Sequence, residues 1–359
     1  MRQDKARLNN KLQLRISGAL FTCMNTPLGS FRIGGLKLAL ILVVATAWPL
    51  PKAGALTIIR DFIGGSQGTN DIGNGDLTAI FNTAADIWEQ AVHDDFTLTL
   101  HYGWAPVGGG QHSLEVQGGT PNRETEGTIL FNNDNVSGHF HWYLDPTPRD
   151  NLEFTTFTNR LLDLGGGNLS VSRTFSGAGG DAGNFAYSDL LTVALEMIGH
   201  ALGLGQANTS FQVLSTNLHI VVTAPLPFPG TVIGLRTNFF GVTSRIITDD
   251  QYPSALMDGH ANGDRQMPAA VDILVIAQIS QFTNVNVDLM PRPQIQAAGT
   301  NGTISWTELW PGFRLEQNPA LNAPAGWTAV SQTATATNEL RNVTLPIDRD
   351  RMFFRIREF

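Results

Sequence analysis

The stretch from residue 189 to about 202 is the most regular helix of the chain, and the sequence stops it hard at Gly203 and Gly205. Ser188 or Asp189 stands where an N-cap belongs, because a short side-chain oxygen there accepts from the unpaired N–H groups of the first turn. Glycine directly behind the last turn lets the backbone leave the helix through conformations closed to other residues. The flanking sequence supplies partners for such a helix. Residues 56–62 (LTIIRDF) read as a strand and 64–76 as a loop. Leu77, Ile80, Phe81, Ala84, Ile87, Trp88 and Ala91 then recur at three- and four-residue spacing behind a capping Asp76, which predicts a helix. Residues 96–102 (FTLTLHY) and 127–131 (GTILF) read as further strands. Strand, helix, strand predicts an α/β (α+β) class.

Residues 132–187 are rich in Asn, Asp, Gly and Thr and read as long surface loops with a strand or two and a short helix near 157–164. A further helix is expected at 269–281 (AAVDILVIAQISQ). Met290, Pro291, Arg292 and Pro293 form a stiff linker. Behind it, short alternating runs at 303–307, 313–317, 327–330, 341–345 and 352–357 predict a small antiparallel β-sandwich. The expected division is residues 56–290 for the first domain and 291–359 for the second, the latter resembling in composition the β-domains that end many exported bacterial proteins.

The segment VALEMIGHALGLGQ, residues 193–206, resembles the active-site helix of the metzincin zinc metallopeptidases, especially the matrixin-like branch. That pattern has a physical basis. Residues i and i+4 share a helix face, so two imidazoles there can hold one zinc, and a glycine three positions later turns the chain so that a third ligand reaches the same ion. A glutamate beside the first imidazole contacts the metal-bound water as general base. Carried over residue by residue, His200 matches the second ligand and Gly203 the turn glycine. The first ligand position holds Glu196, the base position Met197 and the third ligand position Gln206. Glu196 lies on the ligand face with His200, not where a base would stand.

The resemblance implies a metzincin-like metallopeptidase domain, zinc as cofactor, and a peptide or protein as substrate or ligand. Loss of general-base assistance alone costs about a hundred- to ten-thousand-fold in rate, so peptide hydrolysis is expected to be lost or strongly reduced. One alternative is an active metallohydrolase with a recast ligand set of Glu196, His200 and another residue. The other is a non-catalytic protein that binds peptide or glycan or serves at a surface.

Metzincins carry a tight turn containing Met below the metal, and residues 254–259 (SALMDG) resemble it, with Met257 in the key place. His139 and His141 alternate with Phe140 and Trp142, so on a strand both rings would face one side, a spacing that suits a second, structural zinc. The plainer reading is two histidines beside an aromatic core. His219 and His260 are further candidates for a third ligand, whereas His93, His101 and His112 stand in no supporting pattern. Calcium is a second expected cofactor, from loops dense in Asp, Asn and Gly at 71–76, 132–135, 179–184 and 258–264. Each of these also reads as an ordinary turn.

The apolar run 38–50, with Arg32 and Lys37 ahead of it and Ala53-Gly54-Ala55 behind, reads as a secretory signal ending at residue 55, with Met24 as an alternative start. Export to the medium or a bacterial cell envelope is the expected localisation, without stable membrane insertion after cleavage. Residues 1–55 hold eight basic residues and one acid, which leaves 15 Arg against 30 acids and a net charge of −15. That balance opposes nucleic acid as a partner, which needs a basic footprint. The only cysteine is Cys23, so a chain starting at residue 56 contains no disulfide.

Overall fold

The structure, a computed structural model, describes residues 55–133, 141–178, 181–215, 217–237, 243–247, 254–259, 263–291, 293–307, 313–321, 326–337, 340–346 and 351–358. The expected signal region, His139 and His260 lie outside the described residues. Among the described residues no helix is long and apolar enough to cross a membrane.

The chain begins with strand β1 (Leu56–Gly64), helix α1 (Leu77–Ala91), and strands β2 (Phe96–Ala105), β3 (Gly110–Gly118) and β4 (Arg123–Asn132). They form one sheet in the order β1-β2-β4-β3, parallel except that β3 runs antiparallel to β4. Alternation along the strands sends Ile58, Leu98, Leu100, Tyr102, Ile129 and Phe131 into the core. Helix α1 covers that face with the seven apolar residues its periodicity marks, and Asp76 caps it by accepting from the Ala79 N–H at 2.9 Å. Phe81 of α1 stacks on Tyr102 at 3.9 Å between centroids.

Strands β5 (Trp142–Tyr143), β6 (Phe154–Asp163), β7 (Asn168–Ala178) and β8 (Ser188–Asp189) follow. The short helix expected near 157–164 is instead β6, which pairs with β7 along its length. The β-branched Thr155, Thr156 and Thr158 of β6 suit a strand, and Asp163 closes the hairpin by accepting from the N–H groups of Gly165 and Gly167. Helix α2 (Leu190–Ala201) begins at Asp189, whose carboxylate accepts from the Thr192 N–H. Helix α3 (Thr209–Leu214), strands β9 (His219–Val221), β10 (Val232–Thr237) and β11 (Thr243–Ile247), a 3-10 turn (Leu256–Asp258), strand β12 (Arg265–Met267) and helix α4 (Ala270–Ser280) come next. Helix α4 is buried almost all round, as its uniformly apolar sequence dictates.

The remaining strands are β13 (Gln294–Ala298), β14 (Asn301–Thr307), β15 (Phe313–Asn318), β16 (Thr328–Ala329), β17 (Thr335–Thr337), β18 (Leu340–Pro346) and β19 (Phe353–Glu358). They make two antiparallel sheets, β13-β14-β18-β17 and β16-β15-β19. Ile304, Trp306, Val343 and Leu345 of one, and Phe313, Leu315 and Ile356 of the other, are buried.

The expected metzincin-like α/β (α+β) class is therefore corrected. Among the described residues nineteen strands in six small sheets surround four α-helices, so the chain is predominantly β. The error arose in the Gly-, Asn- and Thr-rich segments, where β3, β6 and β7 obtain their order from pairing with neighbours rather than from a local pattern.

Candidate functional site

Helix α2 places Glu196 and His200 one turn apart on one face. The His200 side chain is fully buried, and its Nδ1 donates to the Leu204 carbonyl at 2.7 Å. A carbonyl can only accept, so this bond fixes the proton on Nδ1 and turns Nε2 toward Glu196 Oε1, 3.3 Å away. Two acceptors face to face need a proton or a cation between them. The separation is close to the roughly 3.3 Å edge of a tetrahedron with metal–ligand bonds of about 2.0–2.1 Å.

The frame around the pair is closely packed. Gly203 has φ +148°, and a Cβ there would meet Ser280 Oγ of α4 at 2.5 Å. Only glycine lets the chain turn off α2 this close to α4, and Ser280 Oγ also donates to the Leu202 carbonyl at 2.6 Å. A Cβ at Gly199 would stand 2.6 Å from Met257 Sδ, so the fully buried thioether lies against the helix backbone. The turn that carries Met257 is held by Asp272 of α4, which accepts from the N–H groups of Met257 and Ala269. Burial pushes the Asp272 carboxyl up to about 7, with Asp258 adding to the rise against the lowering effect of those N–H groups.

Met197 is 3% exposed and packs, with Val193, against Gly110 of β3, where a Cβ would stand 2.4 Å from Val193 Cγ1 and 3.3 Å from Met197 Cγ. The position where a general base would stand is thus filled by a thioether pressed on a neighbouring strand. Gln206 is exposed, and its backbone carbonyl accepts from the Gln212 side chain. His141 is half-buried with its ring 5.9 Å from that of Tyr187, just ahead of strand β5. His219 lies on β9 with Nδ1 2.8 Å from the Asn217 carbonyl. The helix thus brings together two of the expected ligand positions, Glu196 and His200, and among the described residues no group of three His, Cys, Asp or Glu includes them. Two ligands do not complete a zinc site.

Two carboxylates of the first expected calcium loop have structural work. Asp71 accepts from the Trp142 N–H and Asp76 caps α1. The buried N-terminus of α2 is pinned by Arg265 of β12, whose guanidinium sits 2.9 Å from Asp189, 2.7 Å from Asp145 and 2.9 Å from Glu153. Burial opposes the Arg265 charge, but the three carboxylates more than offset it. Burial also pushes Glu153 up to about 8 in spite of Arg265.

Elsewhere three residues could hold a metal ion, with one ligand atom from each within 4.8 Å of the others: His101 of β2, Glu115 of β3 and Glu126 of β4. They lie on the sheet face away from the core. His101 Nδ1 is 2.7 Å from Asp61 Oδ2, and its Nε2 is 3.1 Å from Glu126 Oε1. Hydrogen bonds to Glu126 and Asp61 raise the imidazole pKa above its ordinary value. Thr128 Oγ1 donates to Glu115. The sequence reading passed over His101. The alternation in FTLTLHY places it on the polar face with Thr97 and Thr99, but its partners come from three other strands whose order is not written in the sequence. On the opposite face His112 and Glu124 form a buried pair at 2.8 Å, and burial raises the Glu124 pKa despite that bond.

No protein-family model, curated protein or solved structure matches the chain.

Proposed function

We propose that this chain is an exported homologue of the zinc-dependent metalloendopeptidases that has lost peptide hydrolysis and keeps the frame of the old site. The observation that carries the reading is Met197: the base position on α2 holds a buried thioether seated on Gly110 of the edge strand β3. The frame supports the same reading, since Met257 lies against Gly199 and Gly203 turns the chain away directly after His200. A neutral thioether cannot take a proton from water. Beside this frame, β3 is a sheet edge with no strand paired to its outer side among the described residues, a feature suited to holding an extended peptide without turnover.

A second reading rests on the 3.3 Å approach of Glu196 to His200, which suits two ligands of one zinc in a working hydrolase with a recast set. The two separate in one assay. Full-length protein incubated with zinc and a mixed peptide library is expected to yield no chelator-sensitive cleavage, while E196H/M197E/Q206H is expected to gain it. Cleavage by the natural sequence that vanishes in H200A establishes the recast hydrolase instead.

A further inference from the structure

The outer face of the first sheet carries an arrangement independent of helix α2. The pairing register Asp61↔His101↔Thr128 places those three side chains in a row across β1, β2 and β4. Glu126, two residues before Thr128, shares that face by alternation. Glu115 shares it too, two residues after Ser113, which pairs with Thr128. Leu114 pairs with Gly127 and Val116 with Glu126, so Glu115 is the extra residue of a β-bulge opposite Glu126. The bulge sets Glu115 and Val116 together opposite Glu126. A neighbouring skip at Thr125, between Gln117↔Glu124 and Val116↔Glu126, turns Glu124 inward to His112 and leaves Glu126 outward.

We propose that His101 Nε2, Glu115 and Glu126 bind one divalent transition-metal ion of the zinc class, with Asp61 orienting the ring from Nδ1. The geometry is that of a carboxylate–histidine–metal relay, in which the outer carboxylate holds the Nδ1 proton so that the Nε2 lone pair faces the ion. The 3.1 Å from Nε2 to Glu126 Oε1 is near the tetrahedral edge of about 3.3 Å for metal–ligand bonds of about 2.0–2.1 Å. Charge favours a cation as well. Three carboxylates around one imidazole keep two uncompensated negative charges even when the ring is protonated, and Arg60 beside Asp61 pairs away from them with Asp86 and Glu89. An imidazole among carboxylates suits zinc and its neighbours better than calcium, which takes oxygen ligands alone. Glu115 is exposed and the Glu126 side chain is 42% exposed, so water can complete the coordination.

The test is zinc binding to purified full-length protein in metal-free buffer, by calorimetry with zinc chloride, with cobalt(II) chloride as a spectroscopic substitute. One equivalent is expected that persists in H200A, is lost in H101A, and weakens at least about tenfold in E115Q and in E126Q. D61N is expected to weaken it by about ten- to a hundredfold, the effect of removing an outer-shell partner. Circular dichroism of the metal-free variants checks folding, and the exposed position of Glu115 makes E115Q the variant that reports on the ligand alone. No uptake, or uptake removed only by H200A, overturns the proposal and leaves His101 as an imidazole ion-paired with Asp61 and Glu126. Uptake that neither H101A nor E115Q changes overturns it equally.

Discussion

Helix α2 and the outer face of the first sheet present the same chemistry, an imidazole opposite a carboxylate, in opposite settings. At α2 the pair sits inside the core, His200 wholly buried and Glu196 at its rim, with Met257, Gly199 and Gly203 packed around it. On the sheet, His101 meets Asp61 and Glu126 on a partly exposed face that bears on no core side chain. The first region holds its pair in a closely packed frame; the second holds its groups on an open sheet face. Packing frames persist because the fold depends on them, whereas a surface group can gain or lose a ligand at little cost to stability.

The largest effect expected along this contrast is at the anchor of α2. R265A strands Asp189, Asp145 and Glu153 in the interior without their cation and is expected to cost about 3–5 kcal/mol in urea unfolding. A loss under about 1 kcal/mol would show that the helix is not held by this network. Smaller is the effect of pH through Asp272. Its folded pKa of about 7 lies above the ordinary value near 3.9, so the native state holds a proton that the unfolded chain releases. Stability from this group is present at acid pH and is lost as pH rises from about 4 to about 7. Glu153 acts in the same direction up to about pH 8, so D272N is expected to remove part of the slope between pH 4 and 7. An unchanged slope means that the Asp272 carboxyl titrates alike in both states.

The sharpest comparison is also the smallest in energy. In metal-free buffer H200A deletes a buried side chain and its bond to Leu204, for about 1–3 kcal/mol, while H101A is expected to stay within about 0.5 kcal/mol of the parent. Equal losses in the two variants would erase the distinction between core and surface sites.

What could be read from the sequence was what short-range chemistry writes. The apolar spacing of Leu77 to Ala91 and the capping Asp76 gave α1 its buried face, and Asp189 and Gly203 bounded α2 to within a residue. Met257 was singled out by the resemblance of residues 254–259 to the metzincin turn, and the structure sets its sulfur against Gly199. The segment 154–178 was misread because Thr, Asn and Gly carry weak local preference there, and β6 and β7 order each other only once paired.

The sequence by itself determined helices α1 and α2 and their caps, because each of these is settled within a few residues of chain. Only the tertiary structure decided the predominantly β class and the meeting of His101 with Asp61, Glu115 and Glu126. Strand order and a one-residue bulge fix which side chains share a face, and both depend on contacts between segments far apart in the chain.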